Sequence, residues 1–311
     1  MLHRSDDRLL GLVPRGAEAA QDLRGRASAA RHPDAAADEI AAVAVTVLRA
    51  ELAAWPKPGL VSHVDRGSHR DMDAGTLRAS IDALHPFFIE LAAAGGRAAG
   101  METLRAIGLR AEAAMLAATG GINTHRGAIF GLGLLTAAAG DVAVRRADGS
   151  LLAATCLGGV VATRWGPAIA GAPVPDGSHG AGVLRRHGAG GARAEAVGGF
   201  RSVYGIGLPA LREGRRLAGE AGAAIQACFA LIAGVVDTNL LHRGGADGAR
   251  FAATTAAGFL AAGGVGASDW QAQAAAIHAA FVARNLSPGG CADLLAMTLF
   301  VDRLEPDEGA S

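Results

Sequence analysis

Within the segment GSHRDMD, His69, Asp71 and Asp73 alternate. An extended loop would point all three side chains one way, whereas a helix would align only 69 with 73. Two carboxylates so placed suit Mg2+, a hard cation that takes oxygen ligands and keeps several waters; the alternative is a solvated turn in which Asp73 caps the helix that follows. Upstream, Lys57 stands between Pro56 and Pro58. That stiff extended stretch could fix a phosphate contact or simply carry a surface lysine. A second cluster, GGINTHRG at 120–127, precedes an apolar run. Asn123 or Thr124 can cap the helix it opens, and the free N–H groups there, with His125 and Arg126, form an anion site suited to phosphate.

Two further clusters pair an acid with an arginine: Arg193 with Glu195 in ARAEAVGGF, and Asp237 with Arg243 in DTNLLHRGG. Singly, each reads as a structural salt bridge. In LSPGGCADLL, Ser287 can cap a helix starting at Pro288, with Asp293 in its next turn, and Cys291 reads as a small packed side chain.

The elements that position these clusters read as helices. Ile40, Val43, Val47, Leu48 and Leu52 recur at three- and four-residue steps after Asp34, which can cap the run, and Pro56 and Pro58 stop it. Further helices are expected at about 76–94, 101–119, 127–139, 149–163, 207–235, 250–262, 268–284 and 290–304, between Gly- and Pro-rich joints. Strand alternation is nearly absent, so the fold class is all-α: one helical domain over 34–305, a flexible leader at 1–33 and a short tail at 306–311. The stretch from Trp165 to Gly191 reads as a loop.

The 311 residues are half hydrophobic, with 29 basic against 29 acidic side chains. That balance removes the field by which most proteins hold nucleic acid, and argues against a polybasic membrane anchor. No stretch reads as long enough to span a bilayer, the start lacks a secretory signal, and three dispersed cysteines support neither a disulfide framework nor a zinc site. A cytoplasmic location is expected. The chain holds 73 Ala and 28 Arg but one lysine, Lys57.

Taken together, PKPGLV at 56–61, GSHRDMD at 67–73, GINTHRGAIF at 121–130, ARAEAVGGF at 192–200, DTNLLHRGG at 237–245 and SPGGCADLLA at 287–296 resemble, in order, the triphosphoribosyl-dephospho-CoA synthase family. The chain departs from the family pattern at Arg126, where Lys is more frequent, and at Ala194, where Gly is. The resemblance implies transfer of the 5-triphosphoribosyl group of ATP to the ribose 2′-hydroxyl of 3′-dephospho-CoA with release of adenine, by a single inverting displacement. The product would pass to a separate transferase that loads an acyl carrier protein. A chain without a fused transferase domain, with this Arg and Ala bias, points to malonate decarboxylase before citrate lyase.

On that resemblance, Asp71 and Asp73 would hold Mg2+ on the triphosphate, and Lys57, Arg126, Arg193 and Arg243 would contact phosphates. Asn123, Thr124 and Asp237 complete the substrate-contacting set. Glu195 or Glu51 would serve as base, and His69 or His125 would protonate adenine, since imidazole titrates near neutrality. An all-α Mg-dependent nucleotide phosphohydrolase would use the same inventory, and a helical scaffold would use it only as caps and salt bridges. A homo-oligomer could form through an Ala-rich helix face at 272–280.

Overall fold

A computed structural model of the chain describes residues 33–151, 155–173 and 191–305. Among them are eleven α-helices and no strand. The expected leader and tail, and most of the expected loop between Trp165 and Gly191, lie outside the described residues. The helices are α1 (Pro33–Ala53), α2 (Ala74–Gly96), α3 (Met101–Ala118), α4 (Arg126–Ala147), α5 (Leu157–Arg164), α6 (Gly166–Gly171), α7 (Gly191–Val197), α8 (Leu208–Gly234), α9 (Thr238–Ala261), α10 (Trp270–Ala283) and α11 (Gly289–Leu304). A π turn, Val203–Gly207, leads into α8, and a 3-10 turn, Gly264–Gly266, follows α9. Asp34, expected as the cap, falls inside the first turn of α1, which begins at Pro33.

The central element is α4, buried almost continuously from Ala128 to Val142. It packs on α2 and α11, and α2 packs in turn on α1 and α3. The approach of α2 to α4 depends on glycine. A Cβ at Gly95 would stand 1.8 Å from the Ala137 carbonyl oxygen, and one at Gly140 would stand 1.9 Å from that of Ala92. Gly140→Val should therefore push the two helices apart and lower stability by about 2–3 kcal/mol. Gly258→Ala, in α9 with nothing within 4 Å of the new methyl, should instead hold or raise it by about 0.5–1 kcal/mol. Urea midpoints of the two variants would check the contrast, and equal midpoints would deny the close crossing.

Several boundaries differ from the sequence reading. The expected 127–139 helix runs on to Ala147 and carries Asp141 as a buried carboxylate paired with Arg145 at 3.3 Å and with Arg164 from α5. The expected 250–262 helix starts at Thr238, with a kink at Gly245 where φ is 61°. That left-handed residue hides the first half of α9 from a periodicity argument. The expected 149–163 helix begins only at Leu157, and part of the loop expected from Trp165 is the short helix α6.

Two stretches, Arg126–Ala147 and Val203–Gly234, are long and apolar enough to cross a membrane by length and composition, contrary to the expectation of none. Ala and Gly score as apolar, and in the fold 78% of the apolar window of the first stretch is buried inside the bundle. A core helix passes the same test.

Candidate active site

Five of the six motif segments come together. The PKPG turn is held from above and below: His278 Nδ1 bonds the Lys57 carbonyl oxygen at 2.6 Å, and His278 Nε2 lies 3.2 Å from Asp65. Gly59 adopts φ 66°, and a Cβ there would stand 2.0 Å from the Leu286 carbonyl oxygen. Ser68 donates to that same carbonyl at 2.6 Å. The loops at 56–68 and 285–288 are therefore clamped together.

Lys57 is 0% exposed. Its ammonium pairs with the Glu51 carboxylate and donates to the Glu51 carbonyl oxygen at 2.5 Å. The expectation of a phosphate contact or a surface lysine is corrected on this point: the charge faces an internal carboxylate, and Glu51, expected as a base, is its counterion. The Lys57 charge also reaches His125. Burial, reinforced by the Lys57 ammonium, pushes that imidazole down to about 4. His125 is therefore uncharged at neutral pH, not the near-neutral acid expected. Its Nδ1 lies 2.7 Å from Ser80 Oγ, which also receives the Thr124 hydroxyl at 2.8 Å.

Two of the N–H groups at the start of α4, expected to be free for an anion, have acceptors within the chain. Asn123 Oδ1 accepts the Arg126 N–H at 3.2 Å, and the Asp293 carboxylate accepts the N–H of Ala128. Thr124 faces Ser80 and His125 instead of capping. The Arg126 guanidinium lies outside, more than half exposed, and pairs with Glu112 of α3.

Neither acid–arginine pair forms. Residues two apart on a helix point about 200° apart, and Asp237 stands outside α9 as its cap. Arg193 instead donates to the carbonyls of Ile169 at 2.5 Å and Ala172 at 2.6 Å, closing the end of α6. This corrects its expected phosphate role. Glu195 accepts from the Ser202 hydroxyl at 2.5 Å and the Ser202 N–H at 3.1 Å. Asp237, expected to touch substrate, is buried and caps two helices at once. Oδ1 accepts from Asn239 N at 2.7 Å and Leu240 N at 3.2 Å in α9, and Oδ2 accepts from Cys291 N at 2.8 Å in α11. Ser287 leaves the capping of α11 to Asp237, its hydroxyl lying 2.9 Å from His69 Nε2.

The open part of the site is the edge formed by His69, Asp71 and Arg243. Arg243 donates to the carbonyl of Ser68 at 2.9 Å and to Asn285 Oδ1 at 3.1 Å, and its other nitrogen lies 3.2 Å from His69 Nδ1. Burial and the Arg243 charge lower the His69 pKa, with Asp71, 3.6 Å away, opposing them. Asp71 is well exposed. Asp73 stands apart: its Oδ1 forms a reciprocal capping box with Thr76, and its Oδ2 lies 3.2 Å from Arg66. The Thr76 N–H and hydroxyl, aided by Arg66, hold that carboxyl below its usual range.

Sequence reasoning gave no role to Ser68, Ser80, His278 or Asp293, although a histidine in the Ala-rich stretch before Phe281 and an aspartate inside an apolar run were visible signals. Cys291 and Cys228 are buried free thiols, and Cys156 is exposed.

No solved structure matches the chain. Residues 37–311 match the family model described as ATP:dephospho-CoA triphosphoribosyl transferase. A protein of Stutzerimonas stutzeri (strain A1501) is 41% identical over 287 residues, which is 90% of this chain and 97% of its own. A protein of Azotobacter vinelandii is 40% identical over 281 residues, 88% of this chain and 94% of its own. Both carry the name probable 2-(5''-triphosphoribosyl)-3'-dephosphocoenzyme-A synthase. With its motif loops gathered at the ends of α1, α4, α9 and α11, and with this likeness along almost its whole length, the chain belongs to the ATP:dephospho-CoA triphosphoribosyl transferase family.

Proposed function

We propose that this chain moves the 5-triphosphoribosyl group of ATP onto the ribose 2′-hydroxyl of 3′-dephospho-CoA and releases adenine. The observation that carries the reading is the near-complete alignment with synthases of that name. The chemistry of the site supports it. Transfer at the anomeric carbon needs cations around a triphosphate, an acceptor for the hydroxyl proton and a hydrogen-bond donor for the departing base. In this reading phosphate is met by Arg126, exposed at the start of α4 and paired with Glu112, and by Arg243, at the His69 edge. Lys57 holds the PKPG turn from within, and Arg193 fixes α6. Glu195, partly exposed and ordered by Ser202, is the base in this reading, offered from α7 beside α4 and not from the five gathered segments.

Mg2+ carried by a triphosphate needs only one or two protein carboxylates, the remaining ligands being phosphate and water. Asp71, exposed beside His69, fits that demand, whereas both oxygens of Asp73 already have partners. Among the described residues no group of three or more metal-ligating side chains gathers, so such an ion would arrive with the nucleotide. When bound it would neutralise triphosphate charge. Asp71→Asn should raise the Mg2+ concentration for half-maximal rate several-fold with the melting temperature unchanged, and Asp73→Asn should lower the melting temperature more than it shifts the Mg2+ requirement. A Mg2+ titration of both variants checks this, and the reverse pattern would move the ion to Asp73.

Within this reading the product passes to a transferase for the acyl carrier protein of malonate decarboxylase, in the cytoplasm. The Arg and Ala bias supports that assignment over citrate lyase. Chromatography of ATP plus 3′-dephospho-CoA tests the reaction: free adenine is expected, whereas ADP or AMP would make the protein a phosphohydrolase.

A further inference from the structure

Arg243 is partly buried at the His69 edge, and the oxygens that order it carry no charge. Its Nη1 donates to the Ser68 carbonyl at 2.9 Å, to the Asn285 carbonyl at 3.3 Å and to Asn285 Oδ1 at 3.1 Å. Its Nη2 lies 3.2 Å from Nδ1 of the His69 ring. Among the described residues no carboxylate stands within ion-pair distance of it, and Asp71 reaches it only as a longer-range charge. Arg66, Arg126 and Arg215, by contrast, each pair directly with an acid. A guanidinium drawn partly out of water without a counterion favours an anion that reaches it.

Asn285 supplies two of those oxygens from a backbone conformation that glycine usually takes. It follows α10 with φ 54°, and the N–H groups of Asn285 and Leu286 close the helix end on the carbonyls of Val282 and Phe281, both at 3.0 Å. Glycine is the common residue at this left-handed position, and asparagine tolerates it. Glycine would leave Arg243 without the Oδ1 acceptor. Aspartate, of the same shape, would give it a counterion.

We propose that Asn285 is a positioning residue for the transfer: its two uncharged oxygens aim the Arg243 guanidinium and leave its charge for the phosphates of the nucleotide. This rests on the transferase reading above. Holding a planar donor by one nitrogen fixes the direction of its remaining N–H groups. Those belong to the edge where Asp71 is exposed beside His69.

Two variants separate aiming from mere support. Asn285→Asp keeps the shape and the acceptor but pairs Arg243 with a carboxylate. It should melt at or above the parent temperature and bind inorganic triphosphate roughly tenfold or more weakly, the loss of about one charge-assisted hydrogen bond. Binding is measured in EDTA, so that no metal bridges the added charge. In turnover the KM for ATP should rise by a similar factor, with kcat within about threefold of the parent. Asn285→Gly keeps the left-handed backbone and should stay folded, with triphosphate binding weakened about three- to tenfold. On an Arg243→Gln background, Asn285→Asp should change binding by no more than about twofold. Three results would overturn the role of Asn285 alone: Asn285→Asp binding triphosphate within twofold of the parent, its full penalty persisting on Arg243→Gln as plain repulsion of phosphate, or Asn285→Gly melting lower with an unchanged KM. A parent enzyme that releases no adenine would overturn the transferase reading itself, and this proposal with it.

Discussion

Lys57→Met is expected to destabilise the protein by about 3–5 kcal/mol, because it strips the partner from a carboxylate that has almost no access to water. Lys57 is 0% and Glu51 7% exposed, so solvent cannot take over the lost charge. The double variant Lys57→Met with Glu51→Gln removes both charges together and should recover much of the loss. Denaturant midpoints of the parent, the two single variants and the double variant form a closed cycle. A Lys57→Met single variant within 1 kcal/mol of the parent would mean that the ammonium is not committed to Glu51, and would restore it as a candidate for phosphate.

The second large effect is expected at Asp237. One carboxylate there serves the first turns of two helices, so Asp237→Ala orphans the N–H groups of Asn239, Leu240 and Cys291 together. A lost cap costs up to about 2 kcal/mol, and a buried donor left unsatisfied costs about 1–3 kcal/mol. The sum expected is about 3–5 kcal/mol, with α9 and α11 loosened in concert. Asp237→Asn should fall in between, since its carbonyl can serve α9 while its NH2 meets the Cys291 N–H donor to donor. Amide hydrogen exchange would report faster opening at the starts of both helices in Asp237→Ala. Protection lost at α9 alone would refute the shared cap.

The all-α fold and most helix positions were legible because apolar side chains recur at helical spacing and proline and glycine punctuate them. Asp141 and Gly245 show where that legibility ends. An acid inside an apolar run reads as a break until Arg145 and Arg164 are seen to neutralise it, and a left-handed glycine interrupts a helix that resumes on the next residue. The polar clusters were also visible, since polar side chains are sparse in so Ala-rich a chain. Their direction was not. Lys57, Arg193 and Asp237 have the residue types of a phosphate or sugar site, yet each faces a carboxylate, a carbonyl or an N–H of the chain itself. Helix ends present unpaired carbonyl and N–H groups just as substrates do, and sequence alone does not say which of the two a side chain meets. The two-residue spacing of Arg193 and Glu195 did contain a usable clue, because on a helix it separates side chains instead of pairing them.

The mass of the acceptor product is the most direct test of the central claim. Purified enzyme, Mg2+, ATP and 3′-dephospho-CoA should give a single adduct whose mass equals the sum of the two substrates less one adenine, with all three phosphates of ATP retained. An acceptor heavier by one phosphoryl or one adenylyl group, or an acceptor left unmodified while ATP is hydrolysed, would contradict it.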